Sequence, residues 1–339
     1  MYLPTVNPTT YFLYLESKKL YQKGNNQEAV LAGERLLKKN PLFLAAYPLL
    51  ADTYQRLGDK ENALKYYFDY ILYSEKKQDK KSLASAYSGI GWFYHLEGEY
   101  SKAFDFYNRA IALSRQAEDK LNEAVALRKL AVWHIDKRDY NLALELLVKS
   151  SQINLQRQGL FEHRYNLACD YFDIGLVFAN KDDLGAAKEF YQKSRAVFEK
   201  LKLKNELSDY YFNLGEICLF EKQYQQALDY YLRGLEIDLA QNNKTNLAGD
   251  YNMIGELYLE IDNLPEAENF FARAVLASKE INRLPELACA WHNLGLLYKK
   301  KGRKNKTRDY LRQAQEIYRS IDLSSYEEIK QELFDLDGG

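Results

Sequence analysis

Trp291-His292-Asn293-Leu294-Gly295-Leu296-Leu297-Tyr298 sets one aromatic four residues before a glycine and another three after it. Both intervals are about one helical turn, so the three residues share one face of an α-helix. Reading outward from this stretch, the small residue recurs at Gly255, Gly215, Gly175, Ala131, Gly91 and Ala51. From Ala51 to Gly295 the steps are 40, 40, 44, 40, 40 and 40 residues. Tyr47, Tyr87, Tyr171, Tyr211 and Tyr251 repeat the leading aromatic, and Tyr54, Tyr94, Phe178 and Tyr258 the trailing one. Twelve residues after the small residue stands Ala63, Ala103, Ala143, Ala187, Ala227 or Ala267. Four further on comes Tyr67, Tyr107, Leu147, Tyr191, Tyr231 or Phe271.

Each period reads as two helices whose close approach the small residue permits, with aromatics filling the gaps between one hairpin and the next. No such unit can bury its apolar face alone, so the units must stack. The spacing W-x2-L-G-x2-Y followed by A-x3-F resembles the tetratricopeptide repeat family. That resemblance implies an all-α, right-handed superhelical solenoid of about eight helix-turn-helix units plus a C-terminal capping helix. The units are expected at about 8–41, 42–81, 82–121, 122–163, 164–205, 206–245, 246–285 and 286–323, with the cap and tail at 324–339. The family's usual unit is about 34 residues. Only the step from Gly24 to Gly58 has that length, so the later second helices or loops must be longer. The longer variant resembles Rap-type peptide-pheromone receptors, kinesin light chains and the polarity adaptors that bind GoLoco peptides. The signature residues are packing residues, so they specify fold far better than function.

Lys plus Arg number 47 and Asp plus Glu 48, giving a net charge of −1. This balance argues against a wholesale nucleic-acid or membrane-surface binder. Three recurring packing slots account for much of the surplus among the 29 tyrosines. Cys169, Cys218 and Cys289 are odd in number and lack any C-x-x-C pairing, as expected of thiols in a reducing compartment. The N-terminus shows no secretion signal and no run approaches the roughly 18 apolar residues of a membrane span. A cytoplasmic protein is expected. Asn7-Pro8 should start the first helix, and the degenerate pair Glu16-Ser17 marks a terminal unit. The longer connection Gln158–His163 is the expected place for a hinge or irregular step. A capping box at Ser325-Tyr326-Glu327-Glu328 should open the last helix, which carries Tyr326, Ile329, Leu333 and Phe334.

No catalytic, phosphate-cradling or metal-ligand motif is found, so neither an enzyme nor a cofactor or metal is expected. His95, His134, His163 and His292 are far apart in sequence. The basic run from Lys299 to Arg308 reads as a solvated turn, with contact to an acidic partner or nucleic-acid phosphate as the alternative.

The resemblance also implies that first helices line a concave groove. Once packing slots are assigned, groove-facing positions lie 6, 3 and 2 residues before the small residue and 1 and 4 after it, on one side of a helix. The candidate binding residues are Trp92 and His95, Arg128 and Lys129, Phe172, Asp173 and Leu176, then Phe212, Asn213 and Glu216. Asn252 and Glu256, then His292 and Asn293, complete the set. Trp92, Phe172 and Phe212 are expected as exposed anchors, and the asparagines as hydrogen-bonding groups for a ligand backbone. The expected function is a non-catalytic adaptor or scaffold binding a protein or peptide ligand. A Rap-type peptide-responsive regulator is the first alternative; an N-terminal effector module precedes the repeats there, and repeats expected to start near residue 8 count against it. A regulator contacting nucleic acid or an acidic partner through the basic turn is the second. Membrane partners are not expected and nucleic acid is disfavoured; homodimerisation through the same surface is compatible with the pattern.

Overall fold

Aspartate decides where many of these helices begin. Asp59, Asp119 and Asp139 each accept a hydrogen bond from the backbone N–H three residues on, and Asp79 accepts from both Lys81 and Ser82. Each satisfies helix-start donors that the helix itself cannot pair. The computed structural model describes residues 8–22, 24–241, 243–281, 283–321 and 323–337. Seventeen helices occur among them, and no strand. They are α1 (Pro8–Gln22), α2 (Asn26–Lys39), α3 (Ala46–Arg56), α4 (Lys60–Lys76), α5 (Lys80–Leu96) and α6 (Tyr100–Gln116). Next come α7 (Lys120–Asp136), α8 (Tyr140–Leu155), α9 (Phe161–Asn180), α10 (Leu184–Leu201), α11 (Lys204–Phe220) and α12 (Tyr224–Gln241). The last are α13 (Lys244–Glu260), α14 (Leu264–Glu280), α15 (Leu284–Lys300), α16 (Lys304–Ile321) and α17 (Leu323–Asp337). The expected all-α array of paired repeat helices with a terminal cap is what forms; Asn7, its expected first cap, lies outside the described residues.

The extra length of the repeat sits in both helices, not only in the second helix or the loops. A period such as α5–α6 is two helices of 17 residues joined by three-residue turns. Each turn places one residue in the left-handed region: Gly58 and Gly98 at φ 76°, but Arg138, Lys222 and Asp262 at 58°, 59° and 64°. The missing glycine at Arg138 therefore leaves the turn geometry unchanged.

The small residue and the apolar residue sixteen positions later are partners. A Cβ on Gly91 would collide with Tyr107, on Gly175 with Tyr191, on Gly255 with Phe271 and on Gly295 with Leu311. Those later side chains are at most 1 % exposed. One position before them lies a further slot that the sequence reading missed. Phe106 stands 5.9 Å from Tyr87 and 5.7 Å from Tyr94; Phe270 stands 6.2 Å from Tyr251 and 5.5 Å from Tyr258. Tyr310 lies likewise against Trp291 and Tyr298. The leading and trailing aromatics thus clasp a ring from the second helix of their own hairpin. The trailing aromatics also reach the preceding hairpin, with the Tyr54 hydroxyl donating to Glu34 at 2.6 Å and the Tyr298 hydroxyl donating to Glu268, so they bridge hairpins as expected in addition to clasping their own.

The hairpins gather into two compact units, one through Leu201 and one from Lys202 onward. In the first, the first helices α1, α3, α5, α7 and α9 each touch the next, forming one wall, while α2, α4, α6 and α8 bridge successive hairpins. In the second, α13 touches α15, and α17 covers α16 by burying Ile329 beside Leu311 and Ala314. The division does not fall at Gln158–His163, where an irregular step was expected. There His163 Nδ1 lies 2.8 Å from Asn154 Oδ1, and Ser150 Oγ and Asn154 Nδ2 both donate to Asp170 at 2.8 Å. Buried hydrogen bonds therefore lock α8 to α9. The last helix begins at Leu323, so Ser325 lies within its first turn and is not the cap.

Candidate functional site

The wall of the first unit is built around neighbouring cations on α7. Arg128 Nη1 pairs with Asp173 Oδ2 of α9 at 3.2 Å, uniting two candidate residues, and its buried Nε has no acceptor. Lys129 points the other way along the wall. Its Nζ donates to the Ser88 carbonyl of α5 at 3.3 Å and lies 5.8 Å from the centre of the Trp92 ring. No carboxylate forms an ion pair with Lys129 among the described residues. Burial pushes its pKa down to about 8; attraction to Asp52 opposes that change and Arg128 adds to it. Burial likewise raises the Asp52 carboxyl, although Tyr67 donates to it at 2.6 Å.

Trp92, Phe172 and Leu176 are half-buried on this wall, neither free anchors nor sealed core. Trp92 meets His95 edge-on at 5.3 Å, and Phe172 lies 5.3 Å from Tyr191. His95 is buried, with Nε2 2.7 Å from Asp136 and Nδ1 3.3 Å from the Tyr107 hydroxyl, so it serves packing.

The second unit corrects one expectation outright. Phe212 is 6 % exposed, stacked 5.5 Å from Tyr231 over Gly234, and it belongs to the core. Asn252 and Asn293 are also buried. Asn252 Nδ2 donates to the Glu286 carbonyl at 3.3 Å, while its Oδ1 is buried and unmatched. Asn293 Nδ2 donates to Glu256 at 2.8 Å, and Asn213 Nδ2 donates to the Asp209 carbonyl at 2.8 Å. These amide nitrogens therefore hold protein groups, while the Asn252 oxygen is buried without a donor. Glu216 and Glu256 stand at the wall's surface, yet surrounding protein raises both carboxyls; repulsion from Glu256 raises Glu216 further. His292 lies 3.1 Å from Glu332 of the capping helix.

Three cations of the basic turn are tied to protein groups. Lys300 pairs with Asp262 at 3.0 Å, Lys301 pairs with Glu268, and Lys306 donates to the Tyr298 hydroxyl at 3.0 Å. No group of histidine, cysteine or acidic side chains among the described residues is arranged to hold a metal ion. No helix among them is long and apolar enough to cross a membrane.

Among the buried acids that the sequence reading missed, two share a repeat position. Asp170 and Asp250 occupy the place, five before the glycine, that Ala86, Ala126 and Ala290 hold elsewhere. Burial lifts Asp170 to about 7 against the pull of Arg128. Burial lifts Asp250 to about 9, and the Asp238 and Asp209 carboxylates push it in the same direction. A carboxylate in an alanine slot was the available signal.

Two models described as tetratricopeptide repeat match the chain, one over residues 82–156, 162–240 and 247–320, the other over 14–82. A TPR repeat-containing protein of Methanocaldococcus jannaschii is 25 % identical over 219 residues. That match takes in 61 % of this chain but only 35 % of the relative's length. Among solved structures, the APC/C hetero-tetramer Cut9–Hcn1 matches with a TM-score of 0.64 and 16 % identity, covering 96 % of this chain and 57 % of that one. A Rap protein complexed with competence and sporulation factor matches with a TM-score of 0.61 and 14 % identity, covering 97 % of both chains. Identities this low speak for the fold alone.

Proposed function

Since the chain belongs to the tetratricopeptide repeat family, we propose that it is a non-catalytic adaptor holding a peptide or partner helix against its first helices. The observation that supports this is Lys129. A part-buried ammonium whose direct partners are a carbonyl and an indole face, with Asp52 attracting it weakly enough to leave its pKa depressed, is costly unless an acceptor arrives from outside. Trp92 beside it offers a half-exposed ring, and aromatic side chains in such settings carry much of the binding energy at interfaces. Asp52 and Asp173 limit the positive field to a short stretch, which suits an extended segment with one acceptor group rather than a polyanion.

Peptides selected from a random displayed library on the full chain provide the test. Trp92→Ala should weaken their binding by about 2 kcal/mol with little loss of stability. Lys129→Met should weaken binding too, while melting no earlier than the parent because a desolvated charge is gone. Phe212→Ala should do the opposite, costing about 3–5 kcal/mol of stability as a buried aromatic. Unchanged peptide affinity in both Trp92→Ala and Lys129→Met would remove the wall from consideration.

A further inference from the structure

Glu216 and Glu256 occupy the same slot, one residue after Gly215 and Gly255, in successive first helices of the second unit. Each lies close enough for Glu216 to feel the charge of Glu256. No lysine or arginine forms an ion pair with either among the described residues. Asn293 orients Glu256 from α15 through its 2.8 Å hydrogen bond, and the neighbouring His292 is already engaged by Glu332 at 3.1 Å. Like charges repeated without a counter-charge destabilise a wall unless something positive is bound there.

A second observation is independent of those charges. Asn252 is 4 % exposed, its Nδ2 is taken by the Glu286 carbonyl, and its Oδ1 has no donor. Asn252 precedes Glu256 by one helical turn, and both side chains reach toward α15, so they share one flank of the wall. A buried acceptor left without a donor is unfavourable in the free protein and is relieved when a donor arrives. The site therefore offers three acceptors and asks for donors that carry positive charge. No group of three or more metal-ligating side chains gathers here among the described residues. A guanidinium or an ammonium supplies several N–H donors from a single cationic head.

We propose that the wall of the second unit, taken by itself, receives an arginine or lysine side chain of a bound peptide segment, seated between Glu216 and Glu256 with Asn252 Oδ1 as its third acceptor. This rests on the reading of the first-helix wall as a peptide site. Charge complementarity of this kind sets which segment binds and in which register. Heptapeptides selected by display on the full chain should share a basic residue. Replacing that arginine by citrulline, or that lysine by acetyl-lysine, removes the charge and keeps the length. The change should weaken binding by at least about tenfold in the parent and have little effect in the Glu216→Gln/Glu256→Gln variant, as coupled partners do in a double-mutant cycle. The two glutamines are isosteric and relieve mutual repulsion, so the variant should melt no earlier than the parent. Glu216→Gln alone, with most of the coupling retained at Glu256, is the control if the double variant expresses poorly. Selected peptides that lack a common basic residue, or that bind the double variant as well as the parent, overturn the proposal and leave the adaptor reading in place. A library that yields no binding peptide overturns both.

Discussion

Gly255→Leu should lower the stability of the second unit by about 3 kcal/mol or more, near or beyond the upper end of ordinary overpacking. Even a Cβ there would stand 2.5 Å from Phe271 Cε1 and 2.6 Å from Cδ1. Phe271 is fully buried beside Ala274 and Val275, so it has nowhere to retreat. Leucine adds three further carbons to that collision. Gly215→Leu meets Tyr231 in the same way and should fail similarly. Gly249, also on α13, has nothing within 4 Å of an added Cβ. There alanine should stabilise by about 0.5–1 kcal/mol, because glycine is entropically costly in a helix. Thermal melting of the three variants checks the argument; Gly255→Leu melting with the parent would mean that α13 and α14 do not meet as described.

Alkaline pH should loosen the second unit, and Asp250→Asn should abolish much of that sensitivity. Asp238 accepts from Asn243 Nδ2 at 2.8 Å and from Ser208, and Asn246 also reaches it, so its own carboxylate is well supported. Asp250 is only 5 % exposed, with one buried oxygen unmatched, and it must hold its proton beside Asp238. Its pKa rises from the ordinary 3.8 to about 9 on folding. The linkage runs in one direction. Stability from this group is complete below about pH 4, where the unfolded chain is protonated too, and is lost as pH climbs toward 9. The expected loss is several kcal/mol between those limits, since every tenfold gain in proton affinity on folding corresponds to about 1.4 kcal/mol. Asparagine is neutral throughout and can donate to Asp238. The variant should therefore melt later than the parent at pH 8 to 9 and nearly together with it at about pH 4. Parallel pH–melting curves for the two proteins would refute the assignment.

The fold was legible because its rule is local and repeats. A small residue, and an apolar residue sixteen positions on, are two halves of one contact, as Gly175 and Tyr191 show. The third aromatic of each clasp was missed because Phe106 and Phe270 sit directly beside that apolar slot and read as part of it. First-helix placement of the candidate residues could be read from their offsets, but their burial could not. Phe172 and Phe212 hold the same slot, yet the residue twenty-two positions on is Ser194 in one hairpin and Gly234 in the other. Without a Cβ at Gly234, the Phe212 ring sinks inward; an added one would stand 2.5 Å from it. Exposure on a first helix is thus decided by a residue on the second, more than twenty positions away. Asn293 was similarly unreadable, because its partner Glu256 belongs to the preceding hairpin.

The substantial helix contacts within each unit join helices one or two places apart in the chain. Under a mechanical load applied at its ends, such a unit has no distant clamp that must break first. Tension can peel hairpins from a free end one after another, each releasing roughly 14 nm of slack for a forty-residue period at full extension. The aromatic clasp lies inside a hairpin, whereas bridging contacts lie between hairpins, so the seams between periods set the force and the clasps resist within them. Joined to cargo, a protein of this build would yield in graded steps and recoil by restacking, a spring whose stiffness is written in the residues where one period meets the next.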